Sequence, residues 1–477
     1  MVVVRSEILE AYLPSTQEVK NELIGEVVSE NIDWNLKKSV PSLYQSCIQC
    51  LTNCFSRKPW LSRMLKGKHR QRFLEEVDEC EDLSLVYQYI EDTPTYWRRR
   101  ARKLFSSVDV SMHSGSWKQL CVERALTNQI EAFQPLQSSY DDIKSLCQDV
   151  GSIVKYLRIT QLLPPEVTTS NQTVVQSKGE VEVESTQSKE VLSRTPSLIS
   201  FDQSNISSPP RVPTPVQILD MDIPPNHLDF SLLLPLIPNL EELHICCQVK
   251  KCGLEFRWSM FGLTEKDADN IGTGLEQINK IKLISIKNSK VSDSILYMVL
   301  DGLEKMKLIT VLDFPNNIIT DESIEPLVKF ITGKNVRTLN LSNNRLRNEG
   351  ATHFAIFLSS GKSSLTSLNF NLNLIQDEGG ISLLKALSVE KKIIKFCLAS
   401  NRLTSNTGHA IRDLLKLNRT IEHLEFSCNR FEGDTGDYIL EGIKSNTSIK
   451  FMDLRLSGIG QEEEAEISAI IRKNVGV

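Results

Sequence analysis

Cys47, Cys50 and Cys54 come closest to a metal-binding set in this 477-residue chain, since thiolates along one helix face could share a zinc ion. Their spacing of three and four places them on one face with Leu43 and Leu51. No matching His/Cys pair follows at a regular distance, so a buried apolar stripe is the favoured reading and zinc the alternative. Cys246, Cys247 and Cys252 also cluster, but adjacent strand residues point to opposite faces, so the first two do not readily chelate one ion. The 11 cysteines are odd in number and scattered, several of them on apolar helix or strand positions, which is the usage of a reducing compartment. There the triplet Asn418-Arg419-Thr420 would be idle as a glycosylation site.

Other chemistry is sought and not found. Ser359-Ser360-Gly361-Lys362-Ser363 resembles the end of a phosphate-binding loop, but Ile356 stands where the first glycine is required and the preceding segment reads as helix. No Gly-x-Ser-x-Gly, His-Glu-x-x-His or paired Cys-x-x-Cys occurs, and the seven histidines are dispersed. His423, between Ile421 and Leu424, reads as a solvent-facing strand residue rather than a base. No catalytic, cofactor or metal residue is therefore assigned. Two basic runs stand out: Arg63, Lys66, Lys68, His69, Arg70 and Arg72, and Arg98, Arg99, Arg100, Arg102 and Lys103 beside Trp97. Such runs are usually solvated helix faces. As functional features they suit an acidic protein tail, tubulin's included, better than nucleic acid, because no reading module accompanies them.

Composition sets the frame for these residues. Apolar content of 40%, charged content of 24% and a net charge of −5 describe a soluble globular protein with no global bias toward nucleic acid or an anionic membrane. The start MVVVRSEILEAYLPS is interrupted by Arg5, Glu7 and Glu10, and no long apolar run follows, so an intracellular protein is expected.

Internal repetition dominates the second half. The pattern L-x-x-L-x-L-x-x-N-x-L recurs with asparagine at Asn317, Asn344, Asn373, Asn401 and Asn429, in steps of 27, 29, 28 and 28 residues. Degenerate copies place Ser289, Ser457 and Gln248 in the asparagine slot. This predicts an α/β fold, a leucine-rich-repeat solenoid of the ribonuclease-inhibitor-like class with about 28-residue repeats. Each Leu-x-Leu core is a short strand pointing apolar side chains inward, the asparagine satisfies backbone groups where the chain leaves the strand, and a helix returns the chain. In one unit Asp377-Glu378 would place acids at the positive end of the helix carrying Ile381, Leu384 and Leu387.

Between Gln248 and Ser289 the step is 41, and the excess carries Phe256, Trp258 and Phe261. These aromatics either cap the first repeat or form a binding insertion. The inter-apolar strand positions Asp313, Asn316, Asn340, Asn343, Asn369, Asn371, Lys395, Ser400, His423, Glu425, Asp453 and Arg455 would line a polar concave face. Of these, Asn340, Asn369, Asn371, His423 and Glu425, with Phe256, Trp258, Arg98, Arg99 and Arg100, are the candidate partner-binding residues.

Upstream, 164–226 holds nine of the 18 prolines and one aromatic, Phe201, and is expected to be a disordered Pro/Ser/Thr-rich linker. Thr195, Ser208 and Thr214 each precede proline there, as substrates of proline-directed kinases do and as chance in such a tract also yields. Residues 1–139 read as helical. Within 140–163, Val154, Leu157, Ile159 and Leu162 fit the strand pattern again, a candidate first capping repeat with the linker inserted after it, ahead of the main repeat domain at 227–477.

Several stretches exceed a generic repeat: YWRRR at 96–100, HSGSWKQLCVER at 113–124, LRITQLLPP ending at Pro165, CGLEFRW at 252–258 and MDLRLSGIGQEEE at 452–464. In these the chain resembles the dynein regulatory complex subunit 5 family, the T-complex-associated testis-expressed proteins. The resemblance covers both halves in the same order and is weaker across the linker and the extreme N-terminus. It implies a non-enzymatic subunit of the nexin-dynein regulatory complex in the axoneme of motile cilia and flagella, without cofactors. Its implied partners are other subunits of that complex and, through the basic runs, doublet microtubules, in a hetero-oligomeric assembly with no nucleic acid or membrane. A soluble adaptor or enzyme inhibitor of the ribonuclease-inhibitor type is the alternative that the repeats by themselves allow.

Overall fold

The computed structural model describes residues 42–164 apart from Ser107 and Leu136, then 227–250 and 261–476. Almost all of the linker, and Cys252, Phe256 and Trp258, lie outside the described residues. The chain forms two compact units, Met1–Glu91 and Asp92–Val477.

In the first unit, α1 (Leu43–Asn53), α2 (Leu61–Met64), α3 (Gly67–Glu76) and α4 (Leu83–Tyr89) pack around Ile48, Phe55, Phe73, Val77 and Val86. Ser42 and Gln45 close a reciprocal cap at the start of α1. The buried stripe expected for the three cysteines is not formed. Cys47 and Cys50 are exposed and Cys54 is half-buried, because the inward face of α1 is set by Ile48 and continues into Phe55. The favoured reading of those cysteines is thereby corrected. Among the described residues no cluster of three or more His, Cys, Asp or Glu side chains is arranged to hold a metal ion.

The second unit begins with α5 (Pro94–Leu104), α6 (Trp117–Ala132) and α7 (Tyr140–Val150), and its first strand is β1 (Tyr156–Gln161). Strands β2 (Glu242–Gln248), β3 (Leu283–Lys287), β4 (Val311–Asp313), β5 (Thr338–Asn340), β6 (Ser367–Asn369), β7 (Lys395–Cys397), β8 (His423–Glu425) and β9 (Phe451–Asp453) follow. They form one parallel sheet in sequence order. Between them run α8 (Glu265–Glu276), α9 (Asp293–Gly302), α10 (Ile324–Ile331), α11 (Asn348–Ser359), α12 (Asp377–Val389), α13 (Gly408–Leu417) and α14 (Thr435–Ile443), and α15 (Gln461–Val475) closes the chain. This is the leucine-rich-repeat solenoid the spacing predicts. The middle residue of the short repeat strands β4 to β8, such as Leu339, Leu368, Phe396 or Leu424, is fully buried. Parallel pairing demands a crossover for every strand, and each helix supplies one while covering the other side of the core.

Three side-chain ladders lock the repeats together. In the first, the slot asparagine bridges two repeats: Asn373 Nδ2 donates to Leu341 O (2.9 Å) and Phe370 O (3.1 Å), and its Oδ1 accepts from Leu346 N (3.1 Å). Asn317, Asn344, Asn401 and Asn429 do the same. In the second, a helix-start carboxylate or amide holds the next repeat: Asp293 accepts from Thr320, Asp321 from Arg347 N, Asn348 from Gln376 N, and Asp377 from Thr404. The third runs under the helix C-termini, where Asn418 donates to Leu387 O and Glu390 O, Asn446 to Leu415 O and Asn418 O, and Asn474 to Asn446 O and Ile449 O.

The residue before each slot from Ser289 onward takes a left-handed conformation: Asn288, Asn316, Asn343, Leu372, Ser400, Cys428 and Leu456, with φ from 50 to 58°. Asparagine suits that region, whereas leucine is strained there by roughly 1–2 kcal/mol. Where α8 meets α9, a Cβ on Gly302 would sit 2.5 Å from Gly272 Cα, so side chains at these two positions are excluded by the approach of the helices.

Candidate protein-binding surfaces

The concave face carries its polar residues in a mutually bonded lattice. Asp313 accepts from Ser285 Oγ (2.8 Å) and Asn340 Nδ2 (2.7 Å) and pairs with Lys287 (2.9 Å). Asn369 Oδ1 accepts from Asn371 N (2.9 Å). Asn371 donates to Glu425 (2.9 Å) and accepts from Ala399 N (2.7 Å). Glu425 also pairs with Lys395 (3.2 Å). Burial works to raise the Glu425 carboxyl, but hydrogen bonds from Asn371 and Cys397 and the Lys395 charge outweigh it and hold it below the usual carboxylate range. Asp453 is likewise held low by Arg455, whose guanidinium forks onto both carboxylate oxygens at 2.8 and 2.7 Å.

His423 is half-buried and lies against Phe451, ring centroids 5.8 Å apart. Asn343 donates to Asn316 (2.8 Å). Such a lattice keeps the face rigid, and a partner meets groups already satisfied rather than donors and acceptors seeking bonds.

The second basic run lies on α5, where its residues part company. Arg100 is buried, 6% exposed, and donates to the Tyr96 hydroxyl (3.1 Å), in a core that includes Tyr96 and Trp97. Arg98 is exposed and stacks over Trp117 at 5.7 Å, and Arg98, Arg99 and Arg102 line a groove of about 350 Å³ with Pro94 and Thr95. The first run is largely consumed within its own unit: Arg63 donates to Gln88 O, Arg70 to Ser62 O and Arg72 pairs with Glu76. Phe261, the described part of the aromatic insertion, lines a cleft of about 400 Å³ with Gln248, Lys250, Lys290, Asn317 and Ile318.

The phosphate-loop lookalike falls at the C-terminal end of α11, where helix carbonyls rather than amides converge, and Ser360 Oγ donates back to Phe357 O. Thiols of Cys121, Cys147, Cys247 and Cys397 are pushed up to about 12 by burial, so these stay protonated and unreactive.

Sequence reasoning missed two polar features. The third ladder was legible in the recurrence of asparagine at 418, 446 and 474, 28 residues apart each time, but no strand motif frames it. Asn418, the idle glycosylation triplet, is one of its members and is buried. The other is Glu123 on α6, buried to 1% exposure, whose Oε1 accepts from Gln119 Nε2 (2.8 Å), Lys155 N (2.8 Å) and Tyr156 N (3.0 Å) while Oε2 bonds His113. Glu131 does the same farther along, accepting from Thr160 N and Lys250 Nζ. Together they cover the free edge of β1.

Fold and surfaces define a class: a leucine-rich-repeat scaffold with polar, hydrogen-bonded faces. A Leucine Rich repeat family model matches residues 334–355 and 361–384. The chain is similar to dynein regulatory complex subunit 5, as its sequence motifs suggest. It is 29% identical to that protein of Macaca fascicularis over 305 residues, 64% of this chain and 54% of that one. It is also 29% identical to that of Homo sapiens over 303 residues, 64% and 53% of the two chains. The Chlamydomonas reinhardtii protein is more distant, 24% identical over 255 residues, 53% of this chain and 49% of that one. The chain thus spans about half the length of the curated relatives it matches. Among solved structures, the leucine-rich-repeat-containing protein LegL7 from Legionella pneumophila aligns with a TM-score of 0.30 at 15% identity, covering 52% of this chain and 76% of that one.

Proposed function

We propose that this chain is a non-enzymatic structural and regulatory subunit of the nexin-dynein regulatory complex of the ciliary and flagellar axoneme, supporting motility by binding other subunits. The observation that carries the reading is its similarity to dynein regulatory complex subunit 5 over 64% of the chain. A rigid solenoid whose repeats are laced by buried ladders suits a docking role. The exposed arginines of α5, Arg98 and Arg102, extend that role toward an acidic neighbour such as tubulin. No helix of the described residues is long and apolar enough to cross a membrane, in keeping with a place in the cytoskeleton. As for the ribonuclease-inhibitor alternative, the acids it would rely on, Asp313, Glu425 and Asp453, already pair with Lys287, Lys395 and Arg455.

Fractionation of ciliated cells tests the proposal. The tagged protein is expected to remain with demembranated axonemes after detergent extraction and to crosslink to other subunits of the complex. Recovery wholly in the detergent-soluble fraction overturns it.

A further inference from the structure

The rim at which the repeat strands end carries two features that a free surface disfavours. Leu372 and Leu456 adopt φ of 58 and 56° and are nonetheless 51% and 84% exposed, at a register position that Asn316 and Asn343 fill earlier in the same column. Leucine there is strained and solvated at once. Two residues along, Arg345, Arg402 and Arg430 are exposed and have no carboxylate within ion-pairing distance among the described residues. Their backbone amides are pinned to the preceding repeat, on Ile319 O, Ile375 O and Leu403 O, so the guanidiniums project from a rigid ladder.

We infer that this rim, Leu372, Leu456, Arg345, Arg402 and Arg430, docks an extended acidic segment of a partner protein that carries apolar anchor residues. Neighbouring repeats stand about 5 Å apart at the sheet, so Arg345 and Arg402 are about 10 Å apart, the reach of three residues of extended chain. Arg402 and Arg430 stand in consecutive repeats, about 5 Å apart, so acids three residues apart would meet Arg345 and Arg402 and a further acid one or two residues on would meet Arg430, with leucine-like side chains seated against Leu372, between the first two arginines, and Leu456, one repeat beyond the third. A flat anionic surface fits less well, because acids in the first turns of the adjoining helices, Glu349, Asp377 and Glu378, flank the strip and would repel it. The inference rests on the reading of the solenoid as a protein-binding scaffold, and not on its placement in cilia.

The test uses the full chain and labelled synthetic peptides with glutamates at that uneven spacing and leucine between and after them, measured by fluorescence anisotropy. Peptides with glutamine for glutamate, phosphatidylserine vesicles and a single-stranded RNA serve as rival probes. The triple variant R345E/R402E/R430E is expected to weaken the glutamate peptide at least about tenfold. The double variant L372N/L456N is expected to weaken it by a similar factor while raising the thermal midpoint, since asparagine relieves the left-handed strain, and so misfolding cannot account for the loss. Unchanged affinity in both variants, equal binding of the glutamine peptide, or tighter binding of vesicles or RNA overturns the assignment. An axonemal protein with an inert rim would fail this test and still pass the extraction experiment.

Discussion

Asn373 bonds four backbone groups, Leu341 O, Leu346 N, Phe370 O and Asn371 O, from a position that is 4% exposed, and its worth follows from what its loss would strand. Asn373→Ala leaves the carbonyls of Leu341 and Phe370 and the amide of Leu346 without their side-chain partner at a buried position. A destabilisation of about 2–4 kcal/mol is expected, read as a lower urea midpoint at unchanged slope, whereas Asn343→Ala, exposed but left-handed at φ 52°, should cost about 1–2 kcal/mol. This role was legible in the sequence because the slot recurs in register with the strand pattern. The lattice of the concave face was not. That Asn371 reaches Glu425, 54 residues on, depends on side-chain directions across two strand spacings, which period alone does not supply. Arg100 makes the same point: its neighbours in the run are cationic, but helical phase turns it inward onto Tyr96.

Among the elements, α6 and α15 bound the solenoid, and the family-like stretches fall on such ends. HSGSWKQLCVER contains His113, the cap Ser116 and Glu123; LRITQLLPP holds all of β1 but its first residue; MDLRLSGIGQEEE runs from within β9 into α15. Terminal repeats are atypical because they must satisfy a sheet edge and an open core that inner repeats leave to their neighbours. Glu123 performs that task for β1, so Glu123→Ala should strip the amides of Lys155 and Tyr156 and the ring of His113 of a buried partner. A loss of about 3–5 kcal/mol is expected, with hydrogen exchange accelerating at 155–161 well before it does at 338–369. Equal acceleration at both would show that α6 is not the cap. A polar helix residue with no repeat partner gave no signal for this, since its value arises only when β1 lies beside it.

For the molecule as a whole, contacts between repeat elements join successive units, as in α11 with α12, α13 with α14 and each strand with the next. Stability is then a sum over neighbours, and a complete unit should be removable. Deleting residues 373–400 joins Leu372 to Asn401 with slot and left-handed position still in register. The shortened chain is expected to keep its circular dichroism spectrum and monomeric size and to unfold with a smaller denaturant slope, whereas deleting half as many residues should unfold it. The sequence by itself determined the class of fold, the strand and slot positions and the resemblance to dynein regulatory complex subunit 5, because a repeating unit writes its inward face into a fixed period. The tertiary structure decided which polar residues are already spent, how the first strand is covered, and that two leucines stand exposed in a strained conformation. Those outcomes depend on side chains from repeats far apart in sequence meeting across about 5 Å of sheet, a distance that no local period encodes.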